Sequence, residues 1–249
     1  MASIHEDIVN YFRQQRQMYG DVLYTEGWKA SRIVIPSSDS PFPIPHSPTT
    51  VQAPASPSSA WTEAGSLEVL NSEICTCMNC PLGSTRTNFV FGSGNPHAEV
   101  MVIGEAPGAD EDAQGLPFVG RAGQLLTKIL EAIQLTREDV YICNILKCRP
   151  PNNRKPLHSE TDSCEPYLWK QIDLVKPRYI LALGLTAANT LLKNKTSMKE
   201  LRGTLHDYHG IPTLVTYHPA ALLRNPAWKK ETWEDIQRLR ELLNNRTTE

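Results

Sequence analysis

The sequence predicts an α/β fold, a parallel β-sheet covered by helices on both faces. Two observations predict it. Four short apolar runs, rich in β-branched and aromatic residues, have the length and composition of buried strands. Helix-like segments separate them, and strands alternating with helices build parallel sheets. Crossovers between parallel strands are right-handed, so few topologies are open to the chain.

In chain order, residues 4–18 read as an amphipathic helix, with Ile4, Ile8 and Phe12 at spacing four. Residues 36–60 contain seven prolines and many serines, a composition that cannot pack a core and reads as an extended or disordered linker. That segment serves either as a passive tether or as bait for a protein partner such as a polymerase or sliding clamp. From about Trp61 a helical stretch leads into a cysteine cluster. The first strand, 99–103, ends at Gly104. A helix over 120–134 follows, with Leu125, Leu126, Ile129, Leu130 and Ile133 on one face. Then come a strand at 140–145, a helix at 160–175, a strand at 179–183 and a short helix at 186–192. A strand at 213–217 and a helix at 228–243 close the chain. The expected division is an N-terminal extension, 1–60, and one catalytic domain, 61–249.

The net charge of −2 is not that of an obvious polyanion binder, but it is uneven. Residues 1–74 carry net −4 and residues 75–249 net +2, so a nucleic-acid site must be a local patch. No apolar run approaches the roughly 20 residues of a membrane helix. Residues 1–17 lack the apolar core of a signal peptide. These features lead us to expect a cytoplasmic protein. In a reducing compartment, six cysteines argue for a metal or for catalysis rather than disulfides.

Cys77 and Cys80 form C-x2-C, and Cys148 and Cys164 form C-x15-C. A thiolate quartet drawn from distant segments points to a metal centre. On ligands alone, Zn²⁺ and an iron–sulfur cluster are both open. Cys75 could replace Cys77, although C-x2-C is the better bite. Cys143 lies in an apolar strand and reads as a buried residue.

Ligands of open α/β sheets bind beyond the carboxyl ends of the strands. The loop 104–112, Asn144 at the end of the second strand and His218 after the fourth all converge there. Gly104 and Gly108 allow close backbone approach, and Glu105 would face the ligand. No phosphate-loop or dinucleotide glycine pattern is present. Asp110, Glu111 and Asp112 read as solvated or capping groups. Phe118 fits either a stacking platform for a flat base or a core position. Asn144 fits either the reading of a base edge or a loop anchor. His218 could stabilise developing negative charge. Lys147, Arg149, Arg154 and Lys155, with Arg224, Lys229 and Lys230, form two basic runs suited to a phosphate backbone.

Residues from about 73 to 245 resemble family 4 uracil-DNA glycosylases, the iron–sulfur type found in bacteria and archaea. The resemblance runs through Cys77-x2-Cys80-Pro81-Leu82, Phe91-Gly92-x-Gly94, Gly104-Glu105-Ala106-Pro107-Gly108, Pro117-Phe118-Val119-Gly120, Asn144-x3-Cys148-Arg149-Pro150-Pro151, Cys164 and His218-Pro219. It implies a three-layer α/β/α fold around a short parallel sheet. It implies a [4Fe–4S] cluster on Cys77, Cys80, Cys148 and Cys164. Gly104, Glu105 and Ala106 would line a uracil pocket, Phe118 would stack on the base, Asn144 would bind its polar edge and His218 would support the leaving base. Leu222, Leu223 and Arg224 would wedge into the vacated stack. The implied substrate is uracil-containing DNA, single- or double-stranded, acted on by a monomer. Residues 1–70 have no counterpart in the family pattern, and Ala109 stands where an acid is common. Residues 150–158 lack the longer basic loop of relatives that become covalently trapped on abasic DNA. A non-catalytic iron–sulfur nucleic-acid-binding module is the alternative from another class.

Overall fold

The computed structural model describes residues 59–245. The expected helix at 4–18 and nearly all of the linker at 36–60 lie outside the described residues.

A six-stranded sheet forms the middle layer. Its strands are β1 (Ser93–Gly94), β2 (Val100–Gly104), β3 (Tyr141–Asn144), β4 (Tyr179–Leu183), β5 (Leu205–Tyr208) and β6 (Ile211–Thr216), in the spatial order β1-β3-β2-β4-β6-β5. The four inner strands are parallel, as the apolar runs predict, and every residue of β2, β3 and β4 is buried. The two edges depart from that expectation. β1 pairs antiparallel with β3, and β5 pairs antiparallel with β6. The β5–β6 hairpin turns on His209 and Gly210, both at positive φ (53° and 83°), as two-residue hairpin turns require.

The eight helices among the described residues are α1 (Leu67–Ile74), α2 (Ala109–Gln114), α3 (Arg121–Glu131), α4 (His158–Val175), α5 (Leu185–Leu192), α6 (Met198–Leu201), α7 (Pro219–Arg224) and α8 (Lys229–Asn244). Strand residues alternate between two cores because successive side chains point to opposite faces. Met101, Ile103, Tyr141, Cys143, Ile180, Ala182 and Val215 pack with α1, α4 and α5. Val100, Val102, Ile142, Leu181, Leu183 and Leu214 pack with α3 and α8. This is the expected three-layer α/β/α sandwich. No described helix is long and apolar enough to cross a membrane.

The acidic loop expected at 104–112 is partly helix. The Glu111 carboxylate accepts the Gly108 N–H at 3.1 Å and caps the first turn of α2. Asp112 is not solvated. It is buried, and its carboxylate accepts the backbone N–H groups of Thr87 (2.9 Å) and Asn88 (3.3 Å).

Candidate active site and thiol centre

The site begins with a register. Gly104 and Asn144, the last residues of β2 and β3, are direct partners in the parallel ladder. A Cβ on Gly104 would lie 2.3 Å from Asn144 Oδ1 and 2.5 Å from the Phe118 ring, so only glycine lets amide and ring meet over this strand end. Beyond β3, the N–H groups of Ile145 and Leu146 donate to the carbonyls of Gly104 and Glu105 at 3.0 and 3.1 Å. The two exits therefore travel together.

Glu105, Ala106, Phe118, Asn144 and His218 line one cavity of about 350 Å³, with Arg154 and Arg224 on its wall. The sequence separates these residues by more than a hundred positions; the parallel sheet brings them to one edge. Asn144 is 1% exposed, and its Oδ1 has no hydrogen-bond partner. A buried, unpaired acceptor costs roughly 1–3 kcal/mol. Such a group in a cavity is poised for a donor that arrives with a ligand.

Phe118 is nearly buried and sits at φ 54°, a strained conformation for an aromatic residue. The surrounding structure holds it there. The Arg137 guanidinium donates to the carbonyls of Pro117 (2.8 Å) and Phe118 (3.1 Å), and the Glu111 carboxylate accepts the N–H groups of Val119 (2.9 Å) and Gly120 (3.0 Å). Glu111 thus ties the Gly108 turn to the Phe118 loop. It is a positioning group that the sequence shows only as one acid among three.

His218 closes the opposite wall, its ring centroid 5.5 Å from that of Phe118. Gly184, at φ 89°, makes room for it, since a Cβ there would lie 2.9 Å from the His218 Cβ. His218 caps α7, where its Nδ1 accepts the Ala220 N–H at 3.1 Å. Its one ring proton in the neutral state therefore sits on Nε2. Burial, with a smaller contribution from the Arg224 cation, pushes its pKa down to about 4. The ring is neutral at physiological pH and can donate from Nε2.

Burial revises two sequence-predicted contacts, and an ion pair bears on a third. Leu222 is 1% exposed and belongs to the core of α7, so it is no wedge in this conformation; Leu223 beside it is 39% exposed. Lys147 is fully buried and does not belong to the basic face. Arg154 lines the cavity but is held in a two-pronged ion pair with Glu160 at 2.6 and 2.9 Å.

Cys77, Cys80, Cys148 and Cys164 come together beside this cavity, joined to it by residues 144–148. Burial pushes the Cys148 thiol up, opposed by Arg86 and reinforced by Cys80 and Cys77. Burial pushes the Cys164 thiol up to about 12, with Lys147 acting against it and Cys148 and Cys77 with it. Among the described residues, no three His, Cys, Asp or Glu side chains close around a point as ligands of a single ion would. The sulfurs are supplied with donors. Arg86 reaches Cys148 Sγ at 3.2 Å, the Tyr167 hydroxyl reaches Cys77 Sγ at 3.3 Å, and the backbone N–H groups of Asn79 and Lys147 reach Cys77 Sγ (3.5 Å) and Cys164 Sγ (3.4 Å). Cys75 is only partly buried and lies outside this set, and Cys143 is wholly buried in β3, as expected for a core position.

Comparison with known proteins places these features in context. The family model described as the uracil DNA glycosylase superfamily matches residues 91–237. The chain is 42% identical over 185 residues to a protein of Archaeoglobus fulgidus named type-4 uracil-DNA glycosylase, covering 71% of this chain and 93% of that one. It is 44% identical over 190 residues to a protein of the same name from Saccharolobus solfataricus (72% and 88% covered). A third, from Thermotoga maritima, is 41% identical over 187 residues (74% and 97% covered).

Proposed function

The chain belongs to the uracil-DNA glycosylase superfamily, and we propose that it excises uracil from DNA by hydrolysing the N-glycosidic bond, leaving an abasic site that starts base excision repair. The observation that carries this reading is the unpaired Asn144 Oδ1, buried in a cavity that also presents the Phe118 ring and a neutral His218. The uracil edge offers an N3–H donor beside its O4 acceptor, which suits a carboxamide. Cytosine reverses that edge, with a bare N3 beside an N4–H₂ donor, so an amide turned to suit uracil is mismatched to it at both atoms.

A base inside a duplex is out of reach, so the nucleotide is first flipped out, at a cost of a few kcal/mol. Stacking on Phe118 offsets about 1–3 kcal/mol of that. The C1′–N1 bond then breaks heterolytically. Its electron pair leaves with the base, and positive charge develops on the sugar. His218, donating from Nε2, and backbone N–H groups of residues 104–106 stabilise the uracil anion. Glu105 orients the water that adds to C1′ and takes up the proton this water loses. Leu223 and Arg224 contact the DNA beside the vacated stack.

Cys77, Cys80, Cys148 and Cys164 would hold a [4Fe–4S] cluster. The all-sulfur donor set, with N–H and O–H groups aimed at three of the sulfurs, suits such a group, and its irons spread the thiolates wider than one ion does. The cluster would act as a structural tie between two segments of the domain and takes no part in bond cleavage. The catalytic unit would span residues 61–249 and act as a monomer in the cytoplasm, with residues 1–60 available to a protein partner.

The test is anaerobically purified, brown protein incubated with a uracil-containing oligonucleotide and then alkali. The expected result is strand cleavage at uracil, absent with thymine or cytosine. Intact strands with cluster-loaded protein would leave a non-catalytic nucleic-acid-binding module in its place.

A further inference from the structure

We infer that Lys147 is a positioning residue that serves both halves of the site, anchoring the Asn144 end of the pocket and supplying a buried cation opposite the four-thiolate group. The first half of this role rests on the proposed uracil excision and the second on the proposed cluster. Lys147 is 0% exposed, although lysine is almost never fully buried unless paired. Its ammonium donates to the Asn144 carbonyl at 2.7 Å and to Gln171 Oε1 at 2.5 Å. Gln171 is also fully buried, and its Nε2 donates to the Phe91 carbonyl (2.9 Å) and the Tyr141 hydroxyl (3.2 Å). These contacts are all to neutral groups, and Lys147 takes part in no ion pair among the described residues.

A buried cation without a counter-charge costs several kcal/mol, so its persistence calls for an anion nearby. The groups adjoining Lys147 that can become anions are thiols. It is bonded to Cys148, and its own N–H meets Cys164 Sγ at 3.4 Å. Cys143 lies within β3 and is not one of the four grouped thiols. Four thiolates around a doubly positive iron–sulfur core leave two negative charges to be offset. Arg86, whose guanidinium lies 3.2 Å from Cys148 Sγ, is one cation at that group, and Lys147, whose charge acts on the Cys164 thiol, is the second.

The first half of the role is mechanical. Asn144 is aimed into the cavity by a backbone that ends its strand there, and the Lys147 ammonium fixes that backbone carbonyl. A shift of about 1 Å in a binding group costs on the order of 10²-fold in rate.

The experiment uses full-length, cluster-loaded protein. A redox titration reads the cluster midpoint potential in whichever one-electron couple is reached, and single-turnover assays read uracil excision. Lys147→Met removes the charge and both side-chain hydrogen bonds. The expected result is a more negative potential, because the reduced cluster loses a neighbouring cation, together with excision about 10- to 100-fold slower. Gln171→Glu sets a carboxylate against the ammonium and should also make the potential more negative; it decides the matter if Lys147→Met does not fold. Wild-type potentials in the variants, or excision by Lys147→Met at the wild-type rate, would overturn the inference. Wild-type protein that carries iron, shifts its potential on substitution and yet cleaves no uracil would leave the cation role standing and remove the proposed function instead.

Discussion

The cavity and the thiol centre are built on one short stretch of chain, from Asn144 to Cys148, and they are finished in opposite ways. At the cavity end a buried acceptor, Asn144 Oδ1, has no partner. At the thiol end three sulfurs, those of Cys77, Cys148 and Cys164, each receive at least one donor from the protein. The difference separates a site for a visitor from a site for a resident. A vacant acceptor is tolerated where a passing ligand will satisfy it, and donors already aimed at the sulfurs befit a permanently held group. Between them lies Lys147, bonded to the backbone of one and adjoining the other.

The largest effect expected along this contrast is at the resident end. Cys164→Ser should abolish the brown colour and most of the soluble yield, read by visible absorbance and by the soluble fraction after lysis, because a bound group that organises a fold contributes folding free energy outright. A brown, fully soluble variant would remove Cys164 from the ligand set. At the visitor end, Asn144→Ala and His218→Ala should slow excision by about 10²–10³-fold; Asn144→Ala should leave the melting temperature nearly unchanged, whereas His218→Ala also removes the cap of α7 and should cost about 0.5–2 kcal/mol of stability. For Asn144 the reason is specific: its lost Oδ1 was unsatisfied in the free protein, so truncation removes a desolvation cost along with some packing. Unchanged turnover in either variant would cancel its assigned role.

The next pair separates neighbours. Leu222→Ala should destabilise the fold by about 2–4 kcal/mol in chemical denaturation, because it empties a buried position. Leu223→Ala should leave stability within about 0.5 kcal/mol and lower excision from duplex DNA more than from single strands. Equal effects of the two on stability would break the distinction between core and DNA-facing leucine.

The most gradual effect is in pH. The folded His218 takes its proton only near pH 4, whereas an unfolded histidine takes it near 6.5. The unfolded chain therefore binds more protons in that interval. Stability tied to His218 is complete above about pH 6.5 and declines as pH falls toward 4. His218→Gln should flatten that part of a thermal-unfolding pH profile. The excision rate should show no step from His218 between pH 5 and 8; such a step near 6.5 would mean that the ring titrates normally and is not held neutral.

The four inner strands and the long helices α3, α4 and α8 were legible because strands buried on both faces read as continuous apolar runs and helices carry apolar stripes. The hairpin strand β5 was not, since Leu205, His206 and Asp207 are not buried and carry no such signature. Helix α2 was not, since Ala109–Gln114 has no apolar stripe and is held by its caps. In the site, Gly104, Asn144, Phe118 and His218 were visible from their places at strand exits and in motifs. The clamp by Glu111 and the burial of Asp112 were not, because an acid in a run of three shows nothing of which backbone donors will face it.

What the amino-acid sequence by itself determined is the alternation of strand and helix, the sheet edge where polar residues converge and the four thiols available to a metal group. These follow from hydrophobic periodicity, chain direction and residue chemistry, all of which are local. What only the tertiary structure decided is which polar groups lose water and whom they meet there. Lys147 and Arg149 belong to one basic run in the sequence. Packing encloses Lys147 completely against Gln171 and leaves Arg149 partly in solvent. Leu222 and Leu223 are adjacent and chemically identical, yet only one is core. Burial is a property of distant segments arriving together, and neither the cost of desolvating a charge nor the partner that offsets it is written in the residues on either side.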